Sequence, residues 1–357
     1  MLMKKITSVV LLFSLLFLGF AAIANDTEGS GHDIGISAGP SFSLTDVGGA
    51  KLIGAPFLRD VNGKATRFAI SAFYRYNVNK IFAVRANLMY GMLNGDDKYT
   101  DGKPPRYDGS GNYLAPDDSW FRARRNLNFT THIVEFQAMG EVNLKKYIHT
   151  DAKGSKERWA PYLAGGLGFF WFNPYTYYNG QKVKLKPLGT EGQNIGYKKP
   201  YSNFQFDLIA LAGIKYNVTE RFSIAIEGVY HQTFTDYLDD VSGSYVYPQD
   251  LSKMSPLAQA LQNRANDGRY PDHKFDFVEG QRDWHPMKAD GVTPNPNFGQ
   301  VLATGVGQQR GDKKNNDQFF HLQLTFVISL GEAGRQFGLG SCGKRNPYRV
   351  KFNCPKW

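Results

Sequence analysis

The sequence predicts an all-β fold, an eight-stranded antiparallel up-and-down transmembrane β-barrel with long extracellular loops and a short periplasmic C-terminal tail. Three observations predict it. Of the 357 residues, 38 are Gly and 14% are aromatic, so residues that form turns and strands are abundant. Eight segments alternate apolar and polar side chains with the period of two that a β-strand produces. Short and long connections alternate between these segments, as in outer-membrane barrels.

The first 24 residues have the organisation of a cleaved signal peptide. Two lysines precede an apolar run over Ile6–Phe20, and the segment Ala22–Ala24 fits the small-x-small cleavage pattern. The run is shorter than the roughly 20 residues that cross a bilayer as a helix, which disfavours the alternative of an uncleaved anchor. The sequence therefore predicts an exported protein in which residues 25–332 form the barrel and residues 333–357 form the tail.

Each predicted strand shows an alternation of apolar and polar side chains. In the last of them, Leu322 and Leu324 are apolar, whereas His321 and Gln323 between them are polar. An apolar face opposite a polar, partly charged face is typical of a strand that meets lipid on one side. A soluble β-sandwich is the alternative, but it does not explain charges at the middle of so many strands. The predicted strands are 33–43, 65–77, 82–94, 128–144, 160–174, 204–217, 222–235 and 317–330.

The connections predict the orientation of the barrel. Those at 77–80 and 217–221 are very short and the one at 145–159 is moderate, whereas those at 44–64, 95–127, 175–203 and 236–316 are long. Short turns face the periplasm in bacterial outer-membrane barrels, so both termini are expected there. The 236–316 loop is predicted to contain a helix over 255–265. Surface contact and a protective lid are both open as roles for this loop.

Seven charged side chains fall on strand faces that are predicted to line the lumen. An eight-stranded barrel is so narrow that its side chains fill it, and an unpaired buried charge is costly. Three positive and four negative charges therefore predict an internal network of ion pairs and hydrogen bonds instead of a wide pore. The predicted network consists of Arg75, Arg85, Glu135, Glu141, Asp207, Lys215 and Glu227.

No motif of catalysis or metal binding stands out in the chain. Its seven histidines form no zinc-protease pattern, and His231 and His321 are expected to hydrogen-bond inside the lumen. A Walker sequence is absent, and the G-x-S-x-G pattern at 35–39 lies inside a predicted strand, where it forms no nucleophile elbow. Two lumen carboxylates acting as a catalytic pair are the alternative, but the sequence places no two at reaction distance. We expect no enzymatic activity, no cofactor, no bound metal and no nucleic-acid partner.

The two cysteines, Cys342 and Cys354, both lie near the C-terminus. In an oxidising compartment such a pair forms a disulfide more often than a metal site. A zinc half-site is the alternative, although no histidine is near enough in sequence to complete it. The sequence therefore predicts a Cys342–Cys354 disulfide.

Two basic segments are predicted on the periplasmic side, the turn at 145–158 and the tail. In the tail, aromatic side chains alternate with cations, which is a composition suited to protein interfaces. Binding to outer-membrane lipid headgroups is the alternative, and docking of a protein partner is the interpretation that we favour. The predicted docking residues are Lys145, Lys146, Arg158, Arg345, Tyr348, Arg349 and Trp357.

Four motifs of the chain resemble the PorG family, outer-membrane barrels of the type IX secretion system of Bacteroidetes. They are YRYNVNK at 74–80, PYLAGGLG at 161–168, TDYLDDVSGSY at 235–245 and CPKW at 354–357. The resemblance implies a non-enzymatic component of a protein-export machine, linked to motility in gliding species. It also implies partners in a periplasmic ring of the PorK/GldK and PorN/GldN type.

Two other functional classes are compatible with the sequence. One is a small adhesin-like or structural barrel that acts through its extracellular loops. The other is a barrel enzyme that acts on lipid or peptide at its outer mouth. Removal of the long loop distinguishes the first, and substitution of histidines and aspartates near the mouth distinguishes the second.

Overall fold

The structure, a computed structural model, describes a large part of the chain but not its termini. The described residues are 31–49, 62–100, 106–107, 113–114, 122–123, 125–145, 158–219, 221–264 and 310–331. The predicted signal peptide at 1–24, most of the predicted basic turn, and the tail with Cys342 and Cys354 lie outside the described residues.

The described residues contain eleven strands and two short α-helices with both ends described, and residues 122, 123 and 125 are also helical. In chain order the strands are β1 (Gly31–Leu44), β2 (Arg67–Asn77), β3 (Phe82–Asp96), β4 (Arg106–Tyr107), β5 (Tyr113–Leu114), β6 (Asn128–Asn143), β7 (Trp159–Tyr178), β8 (Gln181–Lys184), β9 (Phe204–Asn217), β10 (Phe222–Thr233) and β11 (Gln318–Gly331). The helices are α1 (Pro248–Leu251) and α2 (Pro256–Gln262).

Eight of these strands form one closed antiparallel barrel. Each barrel strand pairs with the next along the chain, from β1 through β2, β3, β6, β7, β9 and β10 to β11. The last strand then pairs with the first, with Ile36 opposite Phe326, and this pairing closes the barrel. Closure leaves no barrel strand with an unpaired edge. This is required in hydrocarbon, because no water is present there to hydrogen-bond with free backbone N–H and C=O groups. The predicted fold class is confirmed.

The β7 strand is longer than the sequence predicts. The alternation indicates a strand over 160–174 and a loop over 175–203, but β7 continues to Tyr178 and pairs there with β8. Asn179 and Gly180 join the two strands with φ of 49° and 77°. Positive φ at both central residues is the requirement of a type I′ hairpin turn, and Asn-Gly is its preferred sequence. Part of the predicted loop is therefore an additional hairpin.

The two ends of the barrel differ in structure. The short-turn end contains the connections at 78–81 and 218–221, together with residues 144–145 and 158 that flank a third. At the long-loop end, described loops cover the mouth of the barrel. We call this set of loops the loop cap, and it comprises residues 45–49, 97–100, 125–127, 185–203, 235–264 and 310–317.

The loop cap packs into the mouth of the barrel. Leu238 of the cap is fully buried in the same apolar cluster as Phe170 and Phe319 of the barrel wall. Its carbonyl oxygen accepts a hydrogen bond from Thr131 Oγ1 at 2.5 Å. Helix α2 also belongs to the cap, and its first turn is capped by Ser255, whose Oγ accepts from the Ala258 N–H at 3.2 Å. The helix predicted within this loop is confirmed, although it ends at Gln262 and not at the predicted position 265.

The outer surface of the barrel is an apolar belt. The exposed fraction is 67% for Ile226, 60% for Ile36 and 58% for Leu88. A continuous apolar surface of this extent is unfavourable in water, whereas hydrocarbon requires it.

Among the described residues, no helix is both long enough and apolar enough to cross a membrane.

Aromatic side chains lie at both ends of the belt. At the short-turn end the rings of Trp159 and Tyr216 are 4.6 Å apart, and toward the long-loop end those of Phe169 and Phe204 are 5.8 Å apart. Aromatic girdles of this kind sit at the two membrane interfaces of transmembrane barrels. The belt and its girdles therefore match a bilayer environment.

We expect residues 25–357 to leave membranes only with detergent and to migrate faster on a gel unheated than boiled. A closed barrel resists detergent denaturation at room temperature and stays compact until heating breaks its strand pairing. Gel mobility and a circular dichroism spectrum of the same sample measure both properties. A water-soluble monomer without a mobility shift would contradict the assignment as a membrane barrel.

Candidate functional site

The lumen near the short-turn end contains a network of four charged residues. Arg75 Nε and Nη2 donate to Asp33 Oδ2 at 2.9 and 2.7 Å, and Arg75 Nη1 donates to Glu141 Oε1 at 3.3 Å. Lys215 Nζ also donates to Glu141, and to Asn143 Oδ1 at 3.0 Å. The charged members are at most 1% exposed. Two cations and two carboxylates neutralise one another there.

The middle of the lumen contains a second ion pair, between Arg85 and Glu227. Arg85 Nη1 and Nη2 donate to the two carboxylate oxygens at 2.7 and 3.3 Å, which is the bidentate geometry. Tyr162 and Gln323 also donate to Glu227. The Arg85 guanidinium lies 3.7 Å from the ring centroid of Phe73, a cation–π arrangement. This pair is fully neutralised and supported by hydrogen bonds.

A third cluster lies closer to the long-loop end. His231 Nδ1 is 2.7 Å from Asp207 Oδ2 and 3.4 Å from Glu135 Oε1, and all three side chains are completely buried. The His231 ring stacks on that of Phe319, with centroids 4.0 Å apart. The three residues come from β6, β9 and β10, so their spacing in sequence gives no sign of the cluster.

The structure places all seven predicted lumen residues inside the barrel and adds Asp33. This residue has the same parity as Ser37 and Ser41 in β1, so the alternation already marks it as inward-facing, and the sequence analysis missed it. Across the three clusters, three cations face five carboxylates. His231 and His321 also face the lumen, with ring centroids 5.1 Å apart.

In the loop cap, Asp97 and Arg125 hold several loops together. Arg125 Nε and Nη2 each donate to one oxygen of the Asp97 carboxylate at 2.9 Å. The same guanidinium donates to the carbonyl oxygens of Asp46 and Arg310 at 2.6 and 2.5 Å. Asp97 accepts two further bonds from the backbone N–H groups of Gly48 and Leu127, both at 3.0 Å. We call this pair the loop clasp.

A second buried pair joins other parts of the loop cap. Arg310 Nη1 donates to Glu191 Oε1 at 3.2 Å and to the Asp240 carbonyl at 2.8 Å. Glu191 Oε1 also accepts from the N–H groups of Ser242 and Gly243 at 2.9 and 3.0 Å. Arg310 holds the pKa of Glu191 below its ordinary value against the opposing effect of burial. Glu191 is thus a charged acceptor around which residues 239–243 are folded.

Burial has the opposite result at two aspartates of the loop cap. It raises the pKa of Asp239 to about 8 and the pKa of Asp240 to about 6. Asp240 has φ of 65°, a backbone conformation that Asp tolerates better than most residues. Its carboxylate accepts from Thr190 Oγ1 at 2.5 Å and from the Tyr201 hydroxyl at 2.7 Å. The cap therefore gains negative charge as the pH rises from about 5 to 9.

Two of the seven predicted docking residues lie among the described residues. Lys145 and Arg158 are exposed and flank one connection at the short-turn end. Arg158 Nη1 donates to the Tyr216 hydroxyl at 3.4 Å. Outside the described residues lie Lys146, Arg345, Tyr348, Arg349 and Trp357, and so do both cysteines.

Buried charge pairs lie along the lumen of the described barrel, and the loop cap packs into its mouth. We therefore expect no appreciable small-solute conductance when the pure protein is inserted into planar bilayers, because moving an ion past these pairs would separate them. Single-channel recording measures this directly, with a general diffusion porin in the same lipid as the positive control. Large and stable openings from the pure protein would contradict the filled-lumen interpretation.

A closed antiparallel barrel with an apolar belt and an ion-paired interior defines a membrane β-barrel of the outer-membrane type. The chain belongs to the family described as a domain of unknown function, DUF6089, whose model matches residues 9–255. Among curated proteins, none matches the sequence.

Solved barrels of bacteria are similar to this chain in fold. Neisserial surface protein A is 10% identical, with 84% of this chain and 99% of that chain covered and a TM-score of 0.33. OprG from Pseudomonas aeruginosa is 10% identical, with coverage of 85% and 97% and a TM-score of 0.30. Ail of Yersinia pestis is 13% identical, with coverage of 56% and 87% and a TM-score of 0.27. These likenesses concern the fold alone.

Proposed function

We propose that this protein is a non-enzymatic anchor in the outer membrane of a Gram-negative cell, with its short turns and both termini in the periplasm. The observation that carries the proposal is the filled lumen, in which Arg75, Arg85 and Lys215 are each paired with buried carboxylates. A barrel with a filled lumen has no channel to offer, so its function depends on the surfaces that it presents at its two ends. Long-loop and short-turn surfaces are the two candidates.

The finer proposal is a role like that of the PorG family, in which the barrel docks a periplasmic secretion ring of the PorK/GldK and PorN/GldN type. The four resembling motifs support it, and so do the exposed Lys145 and Arg158 at the short-turn end. The tail adds six basic residues against Glu332 alone over positions 332–357. A basic surface favours an acidic partner and makes the association sensitive to salt.

Deleting residues 333–357 should leave the barrel inserted and heat-modifiable while the periplasmic ring no longer co-purifies and secretion fails. The physical reason is that the tail supplies the aromatic anchors and much of the positive charge of the docking surface. Co-purification from native membranes, with partners identified by mass spectrometry, measures the result. If the truncated protein keeps the ring and supports export, the tail docks nothing.

Single substitutions refine this experiment. Tyr348→Ala or Trp357→Ala should weaken ring binding more than Lys356→Ala, because buried aromatic anchors carry more binding energy than charges at the rim. Cys342→Ser with Cys354→Ser tests the predicted disulfide, whose formation is read from the mass of the non-reduced tail peptide. Unchanged ring binding in all of these variants would point to a lipid-binding tail.

The second candidate is an adhesin-like barrel that acts through its loops. The loop cap favours it, because buried pairs such as Arg310–Glu191 give the long-loop end a fixed shape. Removal of residues 246–312 should abolish adhesion in that case and leave ring binding unchanged. If the protein acts in secretion, deletion of the tail should instead abolish ring binding. The two deletions therefore distinguish the two functions.

A further inference from the structure

The third lumen cluster has more acceptors than donors. Both oxygens of Glu135 lack a hydrogen-bond partner among the described residues, and so does Asp207 Oδ1. Glu135 Oε1 lies 3.4 Å from His231 Nδ1, and the Gln137 side chain is its other polar neighbour. Buried polar groups are nearly always satisfied, and an unsatisfied one in a folded protein calls for an unseen partner such as a water or an ion.

The two carboxylates both pack against Gly168. A Cβ atom at this position would lie 2.0 Å from Asp207 Oδ1 and 2.1 Å from Glu135 Oε1. Any residue larger than glycine would therefore clash with both carboxylates and force them apart. The ligand atoms of Glu135, Asp207 and His231 all lie within 4.8 Å of one another.

The charges of the lumen define what would bind at this cluster. Asp33, Arg75, Glu141 and Lys215 sum to zero, and Arg85 neutralises Glu227. Two carboxylates, those of Glu135 and Asp207, are then left without a permanent cation. A protonated His231 would neutralise one of them, and the other would either take up a proton or remain charged in a closed interior, which is costly. A divalent cation with a neutral imidazole would neutralise both.

We propose that Glu135, Asp207 and His231 bind one divalent transition-metal ion of the zinc type inside the barrel. One imidazole nitrogen and two carboxylate oxygens form a ligand set that zinc accepts, whereas calcium and magnesium prefer oxygen ligands alone. Three protein ligands leave a fourth position for water.

The distances allow such an ion after small movements of the side chains. Tetrahedral ligands at about 2.0 Å from zinc lie about 3.3 Å apart. The distances from His231 Nδ1 to Asp207 Oδ2 and Glu135 Oε1, 2.7 and 3.4 Å, bracket this separation, and the second oxygen of each carboxylate is left to accept from the bound water. Binding requires the proton on Nδ1 to leave and the Asp207 carboxylate to move outward by about half an ångström.

The ion would cross-link strands on different sides of the lumen. β6 and β10 are not neighbours, since β7 and β9 lie between them in the barrel wall. A shared metal would join these three strands from the inside, beneath the Phe319 and Leu238 side chains that close the mouth. Its exchange with solvent should be slow, because the loop cap must open first.

The experiment measures zinc in the full-length barrel, purified in detergent, by mass spectrometry of the elements. After unfolding with chelator and refolding with Zn²⁺, followed by removal of free ion, we expect about one zinc per chain. We also expect the midpoint of heat conversion on a gel to rise by roughly 5–10 °C over the metal-free barrel. Ca²⁺ and Mg²⁺ at the same concentration should give no rise.

Substitutions assign the ion to the cluster. Glu135→Gln and Asp207→Asn should each reduce bound zinc at least tenfold and abolish the rise in the heating midpoint. His132→Gln, which removes a histidine that is half-buried beside Tyr90, is the matched control and should keep about one zinc. These variants retain both cysteines, so zinc held by the tail would persist in all of them.

Two outcomes of the zinc measurement would overturn the proposal. If the refolded wild type retains less than about one zinc per ten chains, the cluster is a hydrogen-bonded imidazolium between two carboxylates. If wild type and the cluster variants retain equal zinc, the ion is bound elsewhere. If a variant fails to fold, the wild type is refolded with Co²⁺ in place of Zn²⁺. A Co²⁺ ion bound by one nitrogen and a few oxygen ligands should then show absorption bands in the visible range. Their absence would count against the proposal.

Discussion

Replacing Glu227 with Leu should destabilise the barrel by about 3–5 kcal/mol, among the largest effects of any single lumen substitution. The change leaves the Arg85 guanidinium buried without its counter-charge and removes the acceptor of Tyr162 and Gln323. A buried charge without a partner costs far more than the net gain of the original pair. The heating midpoint of the mobility shift and the folding yield in lipid vesicles measure the loss.

The double substitution Arg85→Met with Glu227→Leu is the informative companion. Removing both charges leaves no unpaired ion, and apolar replacements of buried pairs are often neutral. The double variant should therefore be clearly more stable than Glu227→Leu alone. Ile226→Leu, one residue away but facing lipid, is the control and should change stability by only about 0.5 kcal/mol. A Glu227→Leu barrel as stable as wild type would mean that the pair is not buried.

Replacing Arg125 with Met should release the loop cap while the barrel persists. The side chain loses its bidentate bonds with Asp97 and its bonds to the carbonyls of Asp46 and Arg310. Asp97 is then left buried and charged, at a cost of about 3–5 kcal/mol to the cap. Because these contacts lie outside the strands, the mobility shift on heating should remain. Limited proteolysis of the cap should become faster by two orders of magnitude or more.

Lys98→Ala is the matched control for the loop clasp. Lys98 neighbours Asp97 in sequence and pairs with Asp96 at 3.0 Å, but its side chain is 44% exposed. An exposed pair contributes at most about 1 kcal/mol, so the proteolysis rate should change less than tenfold. Equal rates for the Arg125 and Lys98 variants would show that the clasp does not hold the cap. Loss of the mobility shift in Arg125→Met would show that cap and barrel fold as one unit.

The sequence by itself determined the barrel. Side chains of a strand point alternately to opposite faces, so a residue such as Leu322 or His321 is assigned to lipid or lumen by its parity alone. The same rule placed Arg85 and Glu227 inside, and it would have placed Asp33 there as well. The Asn179-Gly180 turn was also readable, because few dipeptides accept two positive φ angles. Each of these inferences depends on local geometry, which is encoded within a few residues.

Only the tertiary structure decided which charges meet. Arg85 and Glu227 are separated by 142 positions, and their pairing depends on strand order, register and the direction of each side chain across the lumen. The cluster of Glu135, Asp207 and His231, from three strands, and the loop clasp of Asp97 and Arg125 arise in the same way. Alternation fixes the face on which a residue lies but not its height or its neighbours across the barrel. Those are set by closure of the sheet, which brings distant strands around one axis.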